Sequence, residues 1–181
     1  AVEFYRAAEA AGIKPIIGSE LYVARGSRLE RTGGAQKGQG AYHLTVLAQN
    51  ETGYKNLLQL ASKAQLEGFY YKPRVDKELL EKHSEGLIVF SGCPSAEVPR
   101  LFLDGKDDEA YAMAAWSREV FGRDNYYVEI QNHPIDFLPD LTRKLVDMAR
   151  ELDLPLVATN DVHFARAADS YAHEVLLCIG T

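Results

Sequence analysis

The stretch LPLVATNDVHF, residues 154–164, decides the fold because an apolar strand pattern runs directly into an acid and a histidine. In an extended chain, side chains alternate between faces, so residues i and i+2 point the same way. Asp161 and His163 stand two positions apart, which predicts a two-pronged ligand site at the exit of a buried strand. The alternative is a helix N-cap beside an ordinary polar contact.

Apolar, β-rich runs alternate with helix-period segments along the chain, which is typical of a mostly parallel α/β sheet or barrel. Strands are predicted at 13–23, 43–49, 86–92, 125–131 and 154–161. Helices are predicted at 1–12, 51–68, 76–86, 107–122, 138–153 and 167–180. The Gly-rich segment 25–42 is predicted to be a loop that is mobile at its centre. With no internal repeat and no linker, residues 1–181 are predicted to form a single domain.

The composition limits the function classes. Of 181 residues, 20 are Lys or Arg and 26 are Asp or Glu, so the net charge of −6 argues against unaided binding of nucleic acid. No apolar run is long enough to span a membrane, and the N-terminus does not resemble a signal peptide, so a cytoplasmic protein is expected. Two cysteines cannot form a disulfide framework. The chain starts without Met, within a helical pattern, which suggests a fragment of a longer protein.

Ligand-type side chains recur where the predicted strands end or begin. Glu20 is assigned to the end of the first strand, Cys93 follows the third and His133 follows the fourth, whereas His43 opens the second. Carboxylate, imidazole and thiol groups are the usual ligands of zinc and similar divalent ions. Glu20 lies in an apolar stretch, so we expect it to be buried and to need a cation or partner.

Each of these residues also has a structural interpretation. His43 could simply cap a strand, Cys93 could be a packed thiol, and His133 could be an ordinary polar residue. His83 is assigned to the last turn of a helix, where the helix dipole favours it. Two further residues, His173 and Cys178, lie on the final helix pattern and are not assigned to the site.

Several catalytic signatures are absent from the sequence. It contains no G-x-x-x-x-G-K-[ST] phosphate loop, no G-x-G-x-x-G motif, no G-x-S-x-G elbow and no C-x-x-C pair. The sequence therefore gives no motif that would indicate covalent serine catalysis or dinucleotide binding. Metal-assisted hydrolysis remains as the candidate reaction.

Blocks spread over nearly the whole chain resemble the PHP (polymerase and histidinol phosphatase) domain of bacterial DNA polymerase III α subunits. The blocks are AVEFYRAAEAAGIKPIIGSELYVA, HLTVLAQNETGYKNLLQLASKAQLEGFYYKPRVD, HSEGLIVFSGCPSAEVPRLFLDG, NYYVEIQNH and LVATNDVHFARAADSYAHEVLLCIGT. The resemblance implies a distorted (β/α)7 barrel with metal ions at the carboxyl ends of its strands. It also implies that Glu20, His43, Cys93, Asp161 and His163 occupy metal-ligand positions.

The sequence also departs from this family. PHP domains open with an H-x-H strand and a further D-H pair ahead of the block that begins this chain, and neither is present. The resemblance therefore implies a barrel that is incomplete at its N-terminus and a metal cluster that lacks those ligands. Many PHP proteins have a histidine where Cys93 stands, and His133 has no clear counterpart among the ligands.

The resemblance implies that the chain is part of a replicative DNA polymerase, which binds DNA through the rest of the polymerase and contacts other holoenzyme subunits. The segment itself would carry most of a metal-dependent phosphoesterase site of the 3′–5′ exonuclease type and would be inactive alone. The expected cofactors are divalent metal ions, with zinc first and manganese or magnesium as alternatives. Two alternatives remain: a free-standing phosphoesterase of the histidinol-phosphatase kind, and a non-catalytic structural or interaction module of the polymerase.

Overall fold

The computed structural model describes residues 2–31 and 40–179. The strands are β1 (Gly18–Ala24), β2 (Ala41–Ala48), β3 (Arg74–Val75), β4 (Leu87–Phe90), β5 (Tyr126–Gln131) and β6 (Leu156–Thr159). The helices are α1 (Val2–Ala10), α2 (Glu51–Leu66), α3 (Lys77–Lys82), α4 (Glu97–Leu103), α5 (Asp107–Phe121), α6 (Leu138–Glu151) and α7 (Ser170–Ile179). A 3₁₀ turn at Ala167–Asp169 precedes α7.

The strands form one sheet in the order β3-β1-β2-β4-β5-β6. Strand β2 runs antiparallel to both of its neighbours, whereas the pairs β1–β3, β4–β5 and β5–β6 are parallel. The predicted α/β fold with a mostly parallel sheet is confirmed, as an incomplete barrel-like arrangement. Because β2 is reversed, its first residues lie at the edge where the other strands end.

The two faces of the sheet differ in chemistry. On the helix face, β-strand residues such as Val46, Val89 and Val128 are fully buried and join apolar residues of the helices in one core. The opposite face is here called the site face, and the strand register together with the alternation of side chains shows which residues lie on it. It includes Glu20, Tyr22, His43, Thr45, Phe90, Tyr127, Glu129, Gln131, Val157 and Thr159.

Some predicted boundaries were wrong. The first strand begins at Gly18 rather than at residue 13, because Pro15 has no N–H to donate and Ile13 and Ile16 are exposed. Helix α3 ends at Lys82, and the chain then turns through Gly86, whose φ is +71°. The sequence did not predict β3 or α4; α4 carries Pro99 in its first turn, where proline is tolerated.

The start of the Gly-rich segment is held by an ion-pair cluster around Arg28. Its guanidinium lies 3.0 Å from Asp76 and 2.8 Å from Glu67, and its backbone N–H also donates to Asp76 at 2.9 Å. Asp76 caps α3, since its side chain accepts a hydrogen bond from the N–H of Leu79. The cluster thus fastens residues 25–31 to the end of α2 and the start of α3. The predicted mobile centre of this segment, residues 32–39, lies outside the described residues.

We expect Arg28→Ala to lower the free energy of unfolding by about 3 kcal/mol. Removing Arg28 leaves the buried carboxylate of Asp76 uncompensated. The estimate lies at the low end of the usual cost because Glu67, the other partner, is partly exposed. Urea denaturation of the protein measures this change. The matched control is Arg143→Ala, which removes an exposed partner of Asp140 and should have a far smaller effect. Equal effects of the two variants would contradict a structural role for the cluster.

Candidate metal centre

Glu20 and His43 form a pair on the site face. The Nδ1 atom of His43 lies 3.2 Å from Oε1 of Glu20. Because Oε1 of Glu20 lies beside Nδ1, Nε2 is the ring nitrogen directed away from this carboxylate. A carboxylate that holds an imidazole in this way is a common arrangement behind a metal ligand.

The environment of Glu20 differs from the prediction. Its side chain is 50% exposed, and it lies in the first half of β1 rather than at the exit of that strand. The prediction was wrong on both points because β3, the strand beyond β1, pairs only with Tyr22 and Val23 and leaves the first half of β1 without a neighbour on that side. Glu20 is nevertheless aligned with the end of β4, since Thr45 of β2 pairs with Glu20 on one side and with Phe90 on the other.

Cys93 follows β4 through a sharp turn. Gly92 has a φ of +87°, and a Cβ at this position would lie 2.4 Å from the Cβ of Ala96. The turn is held against the start of β2, because the N–H of His43 donates to the carbonyl of Ser95 at 3.3 Å. The loop that carries the half-buried Cys93 therefore packs against the start of β2.

Electrostatics indicates that the candidate acids lie around Cys93. Burial raises the pKa of the Cys93 thiol, and a hydrogen bond from the backbone of Ser95 opposes that shift. The negative charges of Asp161, Glu20 and Glu129 raise the pKa of this thiol further. These carboxylates come from separate strands or strand exits, and each contributes to the electrostatic environment of Cys93.

Asp161 and His163 lie in a loop and not on an extended strand. Strand β6 ends at Thr159, and Asp161 has a left-handed φ of +48°. The predicted alternation of side chains was therefore the wrong reason for their proximity. The two side chains still lie close, with 3.9 Å between Nδ1 of His163 and Oδ1 of Asp161, because the chain turns back on itself at Asp161.

The same turn fixes the orientation of the His163 ring. Nδ1 of His163 lies 2.7 Å from the backbone carbonyl of Asp161. A carbonyl oxygen only accepts, so Nδ1 is the protonated nitrogen and Nε2 is left with its lone pair. The ring also lies 5.5 Å from the ring of His173 on α7, a contact that the sequence did not predict.

Glu129 is a residue of this region that the sequence analysis did not select. It is only 6% exposed, and its Oε1 accepts hydrogen bonds from Thr159 and, at 3.2 Å, from Gln131. Within residues 2–31 and 40–179, its Oε2 is buried without a hydrogen-bond partner. The available signal was an acid at an alternating position of an otherwise apolar strand.

His133 lies beside the candidate centre and outside the pairs described above. It lines a groove of about 520 Å³ between the ends of β5 and β6 and the start of α6, together with Asn160, the residue before Asp161.

His83 caps the end of α3 as predicted, but burial, followed by the charges of Lys82 and Lys63, lowers its pKa. It is therefore favoured as the neutral imidazole rather than as a cation at the helix end.

The donor types fit a divalent cation, since carboxylate, imidazole and thiol groups lie on or beside the site face, and among the described residues a buried carboxylate oxygen of Glu129 lacks a hydrogen-bond partner. In the part of the chain that the structure describes, however, no three His, Cys, Asp or Glu side chains form a group that could hold a metal ion. The geometry therefore supplies pairs of donors and not a complete coordination shell.

In the described ranges, no helix is long and apolar enough to cross a membrane.

A family model described as "PHP domain" matches residues 1–133. The chain therefore belongs to the PHP domain family, and the resemblance read from the sequence is confirmed.

Three curated relatives carry the name DNA polymerase III subunit alpha. The chain is 51% identical to the Treponema pallidum protein over 181 residues, which is 100% of the chain and 15% of that protein. It is 49% identical to the Thermus aquaticus protein over 179 residues, which is 99% of the chain and 15% of that protein. It is 45% identical to the Deinococcus radiodurans protein over 183 residues, covering 100% of the chain and 14% of that protein. The chain thus spans about one seventh of each relative.

We expect Asp161→Asn to lower the pKa of the Cys93 thiol, because the substitution removes a nearby negative charge that disfavours the thiolate. The thiolate is the nucleophile, so alkylation of Cys93 by iodoacetamide should be faster at any pH below the thiol's pKa. Peptide mass spectrometry across a pH series measures the rate at Cys93 separately from that at Cys178. Asp140→Asn, on the exposed side of α6, is the control and should leave the profile unchanged. An unchanged midpoint in Asp161→Asn would contradict the convergence of these charges.

Proposed function

We propose that this chain is the PHP portion of a replicative DNA polymerase III α subunit, a cytoplasmic protein that polymerises DNA. The observation that carries the proposal is the alignment of the whole chain, at 51% and 49% identity, with two proteins of that name. It also supports the polymerase over the free-standing phosphatase alternative. On this proposal residues 1–181 form one domain, and the other subunits of the replicative holoenzyme are partners.

We further propose that the candidate metal centre cleaves phosphodiesters, as a 3′–5′ exonuclease would. Asp161, His163, Glu20, His43 and Cys93 would hold the cation, and Cys93 would favour zinc over manganese or magnesium. A divalent cation supplies Lewis acidity, which polarises phosphoryl oxygens and acidifies water. The chain's own part is orientation. The carbonyl of Asp161 accepts a hydrogen bond from Nδ1 of His163, and Oε1 of Glu20 lies 3.2 Å from Nδ1 of His43, so in both rings Nε2 would face the cation.

The charge of the chain supports DNA binding by other parts of the polymerase. With a net charge of −6, this segment has no excess of cations with which to neutralise a DNA backbone. DNA would therefore be held by the rest of the polymerase and delivered to this site as a single strand end.

A non-catalytic structural or interaction module is the second candidate. It is favoured by one observation, namely that no group of three metal-ligand side chains is formed among the residues described. Metal content separates the two proposals.

Elemental analysis of the purified full-length protein should find at least one more divalent ion per chain than in a variant carrying Asp161→Ala and His163→Ala. The double variant loses a carboxylate and an imidazole, so its remaining donors bind the ion more weakly. Equal metal content in the two proteins would favour the structural module.

The same double variant should reduce metal-dependent 3′–5′ exonuclease activity by more than about 100-fold, since ligand removal costs at least as much as the loss of an outer-shell partner. Polymerisation should stay near the wild-type rate. Release of nucleotides from a labelled single strand and primer extension measure the two activities. The matched control is Asp108→Ala with Glu119→Ala, two exposed acids of α5, which should change neither. Exonuclease activity that persists in the Asp161/His163 variant would rule out this site.

A further inference from the structure

Glu129 is a buried acid whose side chain contacts neutral groups. Its carboxylate lies on the site face of β5 and is 6% exposed. The hydrogen bonds to Oε1 come from the neutral groups of Thr159 and Gln131, and Oε2 has no hydrogen-bond partner in the described ranges. A buried carboxylate in such surroundings is strongly disfavoured unless a cation lies nearby.

Two other acids lie in the same region as Glu129. Glu20 lies on the same face of the sheet, and Asp161 stands two residues after Thr159, which donates to Glu129. Of the imidazoles on or beside this face, His163 donates through Nδ1 to the carbonyl of Asp161, and Nδ1 of His43 lies 3.2 Å from Oε1 of Glu20. Among the described residues, no lysine or arginine is ion-paired with these acids, and the nearby Lys72 lies instead over the ring of Tyr22, 5.3 Å from its centre. A bound cation would therefore offset negative charge on this face.

Glu129 is also linked by hydrogen bonds to the strand end that precedes the loop with Asp161. Thr159 donates to Oε1 of Glu129 and is the last residue of β6, two positions before Asp161. Gln131, the last residue of β5, pairs with Thr159 in the sheet and donates to the same oxygen. One carboxylate thus holds the ends of both strands at the point where the Asp161 loop begins.

We infer that Glu129 is a positioning residue for a divalent cation at the candidate metal centre: its buried charge strengthens cation binding, and its hydrogen bond to Thr159 fixes the strand end before Asp161. The inference rests on the proposed function, because it assumes that the cation lies near Asp161. Glu129 acts without coordinating the ion, since Oε2 is sealed from solvent and belongs to no group of three ligands among the described residues. Outer-shell carboxylates of this kind orient ligands and tune metal affinity.

The test is a titration of the full-length protein with Mn²⁺, in which electron paramagnetic resonance measures the concentration of the free ion. Mn²⁺ bound at the candidate metal centre is the Mn²⁺ that wild type binds and the Asp161→Ala/His163→Ala variant does not. At this centre, Glu129→Gln should bind Mn²⁺ about 10- to 100-fold more weakly than wild type, the usual range for loss of an outer-shell partner. Glu119→Gln, an exposed acid of α5, is the matched control and should bind like wild type. Glu129→Asp keeps the charge and should bind more tightly than Glu129→Gln.

Thermal unfolding separates this role from a structural one. In metal-free buffer, Glu129→Gln should have a Tm at least equal to that of wild type, because an unbalanced charge has been removed, but its Tm should rise less when Mn²⁺ is added. A lower metal-free Tm with an undiminished rise, or a variant that does not fold, would mark a structural residue and overturn the inference. Affinity equal to wild type, or Glu129→Asp no tighter than Glu129→Gln, would overturn it as well.

Two failures are distinguishable in this design. If wild type and Glu129→Gln bind Mn²⁺ equally and both bind more than the Asp161/His163 variant, the metal centre stands and only the role of Glu129 is refuted. If wild type binds no more Mn²⁺ than the Asp161/His163 variant, the proposed metal centre fails and the inference fails with it.

Discussion

The arrangement of the candidate site depends on the antiparallel pairing of β2 between β1 and β4. Because β2 is reversed, its first residues meet the ends of its neighbours, and His43 comes to lie beside the loop that carries Cys93. The register then sets Glu20 opposite Thr45, which in turn is opposite Phe90. A shift of one residue would turn every one of these side chains to the helix face. Backbone pairing, rather than contact between the side chains themselves, therefore brings the donors together.

The second constraint is electrostatic. The helix face of the sheet carries fully buried valines of β2, β4 and β5, whereas the site face carries the carboxylates of Glu20 and Glu129. An arrangement of like charges opposes folding unless a counter-ion is bound. The same chain balances its charges elsewhere, as at Arg28, whose guanidinium lies between Asp76 and Glu67. The contrast between a neutralised cluster and an unneutralised one supports a binding role for the site face.

Sequence patterns predicted much of the secondary structure and misjudged several local details. The helix periods of α2, α5 and α6 and the apolar runs of β2, β4 and β5 were found close to their observed bounds, since long regular segments carry a strong periodic signal. Helix α4 and strand β3 were missed because they are short and contain or follow proline. The environment of Glu20 was misjudged because burial depends on what covers a strand, which local sequence does not specify.

The sequence by itself determined the alternation of strands and helices, the acidic balance and the family, because each of these depends on residue order and composition alone. It also identified Asp161, His163, Glu20, His43 and Cys93 as residues that could bind a metal. Only the tertiary structure decided which of them meet, that Asp161 turns through a left-handed conformation, and that Glu129 is buried with an unpaired oxygen. These features arise from strand register and from contacts between residues about 30 to 40 positions apart, such as Glu129 with Ser91 and Thr159, and a local pattern contains no information about such distant pairs.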